Sequence, residues 1–218
     1  IAQCLVGSEM CIRDRSKVGW GHFASDAWYT TIQKDFVAGE FVWTGFDYIG
    51  EPTNWNGVGS GAVGTWPSPK NSYFGIIDTA GLPKDSYYLY QSLWNEYENT
   101  LHILPAWNGD VIEQDDQGNV KVVVYSDAPT VELYFTPTGG EEKLIGTKTM
   151  TEKRSEGENG AEGLYTYQMY EGEGKDSTAH KNLYRTWKVP YQDGTLRAVA
   201  KDASGKVISN TVGRNVVK

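Results

Sequence analysis

Phe36-Val37-Ala38-Gly39-Glu40-Phe41-Val42-Trp43-Thr44-Gly45-Phe46-Asp47-Tyr48-Ile49-Gly50-Glu51-Pro52-Thr53 is the stretch on which the fold of this 218-residue chain turns. Glu40-Phe41-Val42-Trp43 is a short β-prone run that stops abruptly at Thr44-Gly45. Beyond it the chain passes through Glu51-Pro52-Thr53 and the glycine-rich segment 57–64, a composition that reads as a long loop. A short strand that empties into a long loop places its last side chains, Trp43 above all, at the mouth of whatever the loop surrounds.

Working outward, Ser25–Lys34 opens with good N-cap residues and sets Trp28 and Ile32 four apart, which predicts a short helix. On the other side, Tyr73–Asp78 reads as a second extended run. Pro83-Lys84-Asp85-Ser86 then announces a helix with Tyr87, Tyr90, Gln91 and Trp94 on one face. Helix, strand, long loop, helix is the order expected at the end of a (β/α)8 barrel, where the loops after the strands carry the active site. From about Leu101 the character changes. Val120–Tyr125, Val131–Phe135, Leu183–Val189, Thr195–Ala200 and Lys206–Ile208 are short alternating runs, punctuated by Gln192-Asp193-Gly194 and Ala203-Ser204-Gly205. They predict an immunoglobulin-like β-sandwich. Glu152–Asp176, rich in Gly, Glu and Lys, reads as an exposed insertion. The expected fold class is therefore α+β and multidomain: the last strand and helices of a TIM barrel over residues 16–100, then a sandwich over residues 101–218.

Composition narrows the partners. A net charge of −8 argues against nucleic acid or an anionic membrane surface, and a mean hydropathy of −0.51 without a long apolar run predicts no membrane span. Eight Trp and 14 Tyr raise the aromatic content to 13%, which serves either core packing or the stacking of flat rings on sugar C–H faces.

The first fifteen residues stand apart. Leu5-Val6-Gly7-Ser8-Glu9-Met10-Cys11-Ile12-Arg13-Asp14-Arg15 has neither helical nor strand periodicity and resembles the in-frame translation of a transposase-type sequencing adapter. On this reading the protein's own sequence begins near Ser16. Cys4 and Cys11 both fall in the segment, so cysteine usage says nothing about redox compartment. Glu9, in Gly-Ser-Glu, is set aside as a nucleophile. Arg13 and Arg15 balance Glu9 and Asp14, so the net charge is the same without them.

The quoted stretch resembles the last-strand motif of the β-galactosidases in glycoside hydrolase family two. Ser72-Tyr73-Phe74-Gly75-Ile76-Ile77-Asp78-Thr79-Ala80-Gly81-Leu82-Pro83-Lys84-Asp85 is similar to the next family motif, and Leu101-His102-Ile103-Leu104-Pro105-Ala106-Trp107-Asn108 to the hinge into the following sandwich. The resemblance implies a C-terminal fragment of a retaining glycosidase. Such enzymes use two carboxyl groups roughly 5 Å apart, one protonating the leaving oxygen and the other attacking the anomeric carbon. In the family both glutamates lie on earlier strands. No Glu occurs between Glu9 and Glu40, and Glu40 itself falls at the buried start of the strand, so no catalytic residue is assigned and the fragment alone is expected to be inactive.

Part of a sugar pocket remains. The resemblance makes Trp43 a hydrophobic platform under the terminal sugar; the competing reading is a core Trp that closes the barrel. Asp47 and Glu51 are candidates to hydrogen-bond sugar hydroxyls, against a solvated loop or a loop-stabilising salt bridge. Trp55 and Trp66 serve either the leaving-group sugar or loop anchoring. The loop 44–56 holds no basic residue, which favours a neutral sugar over a uronic acid. Asp78 is placed in a structural loop. His22, His102 and His180 are scattered without carboxylates at ligand spacing, so no metal site and no cofactor are expected. The implied substrate is a β-galactoside. A β-glucuronidase or β-mannosidase of the same family and a non-catalytic carbohydrate-binding sandwich are the alternatives. The likeness also implies an extracellular or surface protein of a bacterium, with an oligomeric parent allowed.

Overall fold

The computed structural model describes residues 24–32, 34–48, 75–110, 112–170 and 183–212. Two helices precede eight strands: α1 (Ala24–Ile32), α2 (Asp85–Trp94), β1 (Leu101–Leu104), β2 (Asn119–Ser126), β3 (Thr130–Pro137), β4 (Lys143–Glu156), β5 (Glu162–Tyr170), β6 (Arg185–Pro190), β7 (Gly194–Lys201) and β8 (Val207–Val212). The strands form two antiparallel sheets, ordered β1-β2-β6 and β5-β4-β3-β7-β8.

The facing sides of the sheets share one core. Val120, Val122 and Val124 of β2 meet Val131, Leu133 and Phe135 of β3 and Leu196, Ala198 and Ala200 of β7, with Trp107 and Trp187 filling the space between. The period-two spacing of these residues is the reason they arrive on one face. In β3 of the five-stranded sheet the alternation is clean: Val131, Leu133 and Phe135 are buried and their neighbours half-buried. In β2 it fails: Val122 through Ser126 are all buried. The odd positions Val123 and Tyr125, with Leu104 of β1, form a second cluster that packs on Leu89 of α2. The three-stranded sheet is thus covered on both faces, by the other sheet and by a helix.

Helix α2 divides its sides accordingly. Leu89 goes to the sheet, while Tyr90 and Trp94 turn to α1, where the Trp28 and Trp94 rings meet edge-on at 5.3 Å. The aromatic face expected from the sequence is real but meets the smaller element, and Trp94 stays 42% exposed. His102 of β1 joins helix and sheet: its ring stacks on Tyr88 at 3.9 Å, and its Nε2 donates to the buried Asp85 carboxylate at 2.7 Å.

Two expectations are corrected. Glu40–Trp43 is not a strand; the segment is extended coil, with Phe41 fully exposed. A strand is defined by its partner, and no described residue runs alongside this segment to supply the ladder. The stretch expected as an insertion is, through Tyr170, a long hairpin of β4 and β5, with register partners from Met150↔Tyr170 to Glu156↔Glu162. Its polar, charged sequence fits an edge pair that needs no buried face. Residues 171–182 lie outside the described residues.

Candidate functional site

The Thr44–Asp47 segment is held by main-chain hydrogen bonds to residues distant in sequence. Ile76 N–H donates to the Thr44 carbonyl (3.0 Å), Ile77 N–H to that of Gly45 (2.9 Å), and Asp47 N–H to that of Ile77 (2.7 Å). Phe46 and Ile77 form a parallel bridge, and Ile77 bridges Pro83 in the antiparallel sense. Lys84 N–H then donates to the Ile76 carbonyl (2.9 Å), which ties the start of α2 to the same knot.

The side chain of Asp47 locks this weave. Its Oδ1 accepts the Gly75 N–H at 2.7 Å and its Oδ2 accepts from the Lys84 ammonium. The two side chains are 3% and 9% exposed. Gly75 is required by close approach: a Cβ there would sit 2.3 Å from the Asp47 nitrogen. Lys84 occupies the N-cap position of α2 without making a side-chain cap, which is unusual for a cap but explained by its partner. Of the alternatives open for Asp47, the loop-stabilising ion pair is the arrangement observed. A carboxylate buried to this degree and engaged through both oxygens holds the loop in place rather than meeting a sugar hydroxyl.

Trp43 lies at the near end of this locked segment with its side chain outward, 73% exposed, and the Trp43–Thr44 peptide bond is cis. Phe41, Phe46 and Tyr48 are exposed beside it. Trp43 is therefore not packed into a core among the described residues. Glu51, Trp55, Trp66, His22 and His180 lie outside the described residues, as does the segment read as adapter.

Behind the Trp43 segment, Glu40 ties both helices together. Thr31 Oγ1 donates to its Oε2 (3.1 Å) and the Tyr90 hydroxyl to its Oε1 (3.2 Å). Burial, and then the adjacent Glu40 carboxylate, push the Tyr90 phenol well above its ordinary range. Glu40 is structural, as expected. Asp78 is too: its Oδ1 accepts from Ala80 N–H and Leu82 N–H, both at 2.8 Å, around Gly81, whose φ of 85° suits glycine. Sequence reading missed Lys84, since nothing local marks a lysine whose partner is 37 residues away. It also missed the link between the hairpin and the segment before Trp43, where Ser155 Oγ donates to Asp35 at 2.6 Å.

No group of three or more His, Cys, Asp or Glu poised to hold a metal occurs among the described residues. What the arrangement offers is an exposed aromatic ring on a rigid main-chain knot. It can bind a flat apolar face.

Comparison with known proteins places this knot and the sandwich behind it. A family described as a domain of unknown function (DUF4982) matches residues 117–209, most of the two-sheet unit. A β-galactosidase of Bacteroides ovatus, BoGH2A, is 33% identical over 192 residues, which is 88% of this chain and 17% of that protein. A Formosa agariphila protein named as a β-glucuronidase is 31% identical over 186 residues, 84% of this chain and 14% of that one. Among solved structures, a glycosyl hydrolase family 2 member from Bacteroides cellulosilyticus covers 89% of this chain and 24% of its own, at TM-score 0.52 and 23% identity, a likeness of fold. The chain belongs to glycoside hydrolase family 2. It spans about a sixth of the curated relatives it matches.

Proposed function

We propose that this chain is the C-terminal part of a retaining exo-β-galactosidase. Residues 16–100 supply the end of its TIM barrel and residues 101–218 an immunoglobulin-like accessory sandwich. Trp43 forms the platform under the terminal sugar, Asp47 fixes the loop that carries it, and Glu51 is the hydroxyl-binding residue further along that loop. The two carboxyl groups that protonate the leaving oxygen and attack the anomeric carbon belong to earlier strands of the parent. The substrate is a carbohydrate, and the parent works outside or on the surface of a bacterial cell.

The observation that carries this reading is the outward, 73% exposed Trp43 on the locked Thr44–Asp47 segment, an aromatic face held rigid with nothing of the described chain upon it. The 33% identity to a β-galactosidase, over most of this chain, supports the branch. A β-glucuronidase is the second reading, favoured by the Formosa agariphila relative. Against it stands charge. Segment 44–56 has no Lys or Arg, and the lysine that the fold brings close, Lys84, is buried against Asp47 rather than facing a uronate.

The test is to express the complete coding sequence that contains this chain and assay it on p-nitrophenyl β-galactoside and β-glucuronide. Faster turnover of the galactoside is expected, and Trp43→Ala should lower its kcat/KM by about tenfold to a hundredfold. Preference for the glucuronide would overturn the galactosidase assignment. Hydrolysis by this chain alone would overturn the placement of the chemistry elsewhere.

A further inference from the structure

At one end of the sandwich, away from the knot at Asp47, the linker after β1, the turn after β3 and the β6–β7 turn enclose an open groove of about 440 Å3. That volume lies within the roughly 300–1,000 Å3 of small-molecule sites. Its central feature is Tyr191, which is fixed from several sides. The ring stacks on the buried Trp107 (5.3 Å between centroids, 30° between planes), and Trp107 is itself anchored by its Nε1–H donating to the Gln192 carbonyl at 2.9 Å. The Tyr191 N–H donates to the Gly118 carbonyl (2.9 Å), and its hydroxyl donates to Asp193 Oδ1 (3.2 Å). Gly109 closes on the hydroxyl so tightly that a Cβ there would lie 2.4 Å from it. An aromatic side chain held this way loses little freedom when a ligand arrives.

Around the ring, the groove is lined with polar groups: Asn108, Thr136 and Thr138, which both donate and accept hydrogen bonds, and Asp193, whose carboxylate accepts them. The turn bearing Thr138 is pinned to the opposite wall by its N–H donating to the Asp193 carbonyl (2.9 Å). No lysine or arginine lines the groove, and its one ionised lining side chain is the carboxylate of Asp193. A fixed aromatic ring amid amide, hydroxyl and carboxylate groups is the chemistry that recognises a sugar, with C–H faces for the ring and hydroxyls for the polar rim. The negative charge selects against anionic sugars.

We infer that this groove is a non-catalytic binding site for neutral β-linked oligosaccharides. The site is made wholly of sandwich and linker residues, so it stands or falls independently of the galactosidase reading.

The experiment titrates the 15N-labelled chain with β-1,4-galactotetraose, with cellotetraose, and with tetragalacturonate as the anionic comparator. At least one neutral tetrasaccharide should give saturable shifts at the Tyr191, Asp193 and Thr138 amides and the Trp107 indole, with a roughly millimolar dissociation constant. Tetragalacturonate should bind at least about tenfold more weakly. Tyr191→Ala and Asp193→Ala should each weaken binding at least about tenfold, whereas Tyr191→Phe keeps the ring and retains most of it. Asp193 is exposed, so its variant decides the matter if Tyr191→Ala fails to fold. Absence of saturable shifts with both neutral sugars, equal binding of the uronate, or undiminished binding by Asp193→Ala would overturn the inference. Loss of galactosidase activity in the parent would leave these results unchanged.

Discussion

Removing the Asp47 carboxylate should unlock the segment that carries Trp43, and the structure sets the size of the effect. Lys84 is 9% exposed at its side chain and Asp47 3%, so neither charge can fall back on bulk water when its partner is lost. Breaking such a buried pair costs about 3–5 kcal/mol, most of it the penalty of the charge left behind. Asp47→Ala also deprives Gly75 N–H of its acceptor at 2.7 Å, a further loss of about 1–2 kcal/mol. Lys84→Met keeps the packing of the aliphatic stem, and the surviving carboxylate still accepts from Gly75, so about 2–4 kcal/mol is expected. The double variant buries no orphan charge and should cost at least about 2 kcal/mol less than the sum of the two. Hydrogen exchange at Ile76 and Ile77 reads this locally, because their amides donate to Thr44 and Gly45 across the knot. Each single variant should speed exchange there by roughly thirtyfold or more, at about 1.4 kcal/mol per factor of ten, with β2 and β3 amides little changed. Additive single effects, or exchange that does not respond, would refute the reasoning and show the pair to be screened by solvent.

The Tyr90 phenol, raised by burial and by Glu40, gives a pH signature. The unfolded chain loses this proton near the ordinary pKa of about 10 while the folded protein keeps it, so the contribution is full below pH ~10 and falls progressively above it. Tyr90→Phe should leave the tyrosinate absorbance that develops near pH 10 unchanged in the folded protein while lowering it by one phenol in the unfolded chain, and should abolish the corresponding part of the alkaline destabilisation. Arg185, 1% exposed, donates to the Ser126 carbonyl (3.0 Å) and to that of Ala128, and so clasps the β2–β3 turn from within. Arg185→Lys cannot reproduce the fork and should lower the urea stability of the sandwich by about 2–4 kcal/mol, a loss absent from a conservative change at exposed Lys206. A truncation that begins at Thr100 removes α2 and uncovers Val123, Tyr125 and Leu104; increased dye binding to apolar surface and self-association in sedimentation should follow, and monomeric behaviour equal to the longer chain would count against the packing described.

Legibility in the sequence followed locality. The strands β2, β3, β6 and β7 announce themselves because alternating Val, Leu and Trp needs only period two and a turn at each end. Helix α2 is marked by Pro83 and its aromatics, and the Asp78 loop by Gly81. What escaped depends on partners far along the chain. The β4–β5 hairpin was masked by its charged, glycine-containing sequence, since its pairing depends on the partner strand across the turn and not on a local apolar pattern. Glu40–Trp43 has the composition of a strand and has no neighbouring strand among the described residues. For Asp47 the sequence left a sugar contact and a loop-stabilising salt bridge both open, because its role is decided by Lys84 and Gly75, 37 and 28 residues away.

The burial of β2 on both faces bears on what kind of protein this is. A sandwich made to act alone leaves the outer face of each sheet to water, and its strands alternate apolar with polar. Strand β3 of the five-stranded sheet follows that rule. The three-stranded sheet breaks it at Val123 and Tyr125, and the residues that break it are those that Leu89 and its neighbours on α2 cover. His102 and Asp85 add a polar tie at the same joint, which an independent module would have no use for. Helix α2 is in turn bound through Lys84 to Asp47, and so to the segment that displays Trp43. A continuous chain of buried contacts therefore runs from the sandwich core to Asp47, in the segment that follows Trp43. That continuity weighs against a free-standing binding module. It fits a sandwich that braces the Thr44–Asp47 segment at one end and carries the Tyr191 groove at the other.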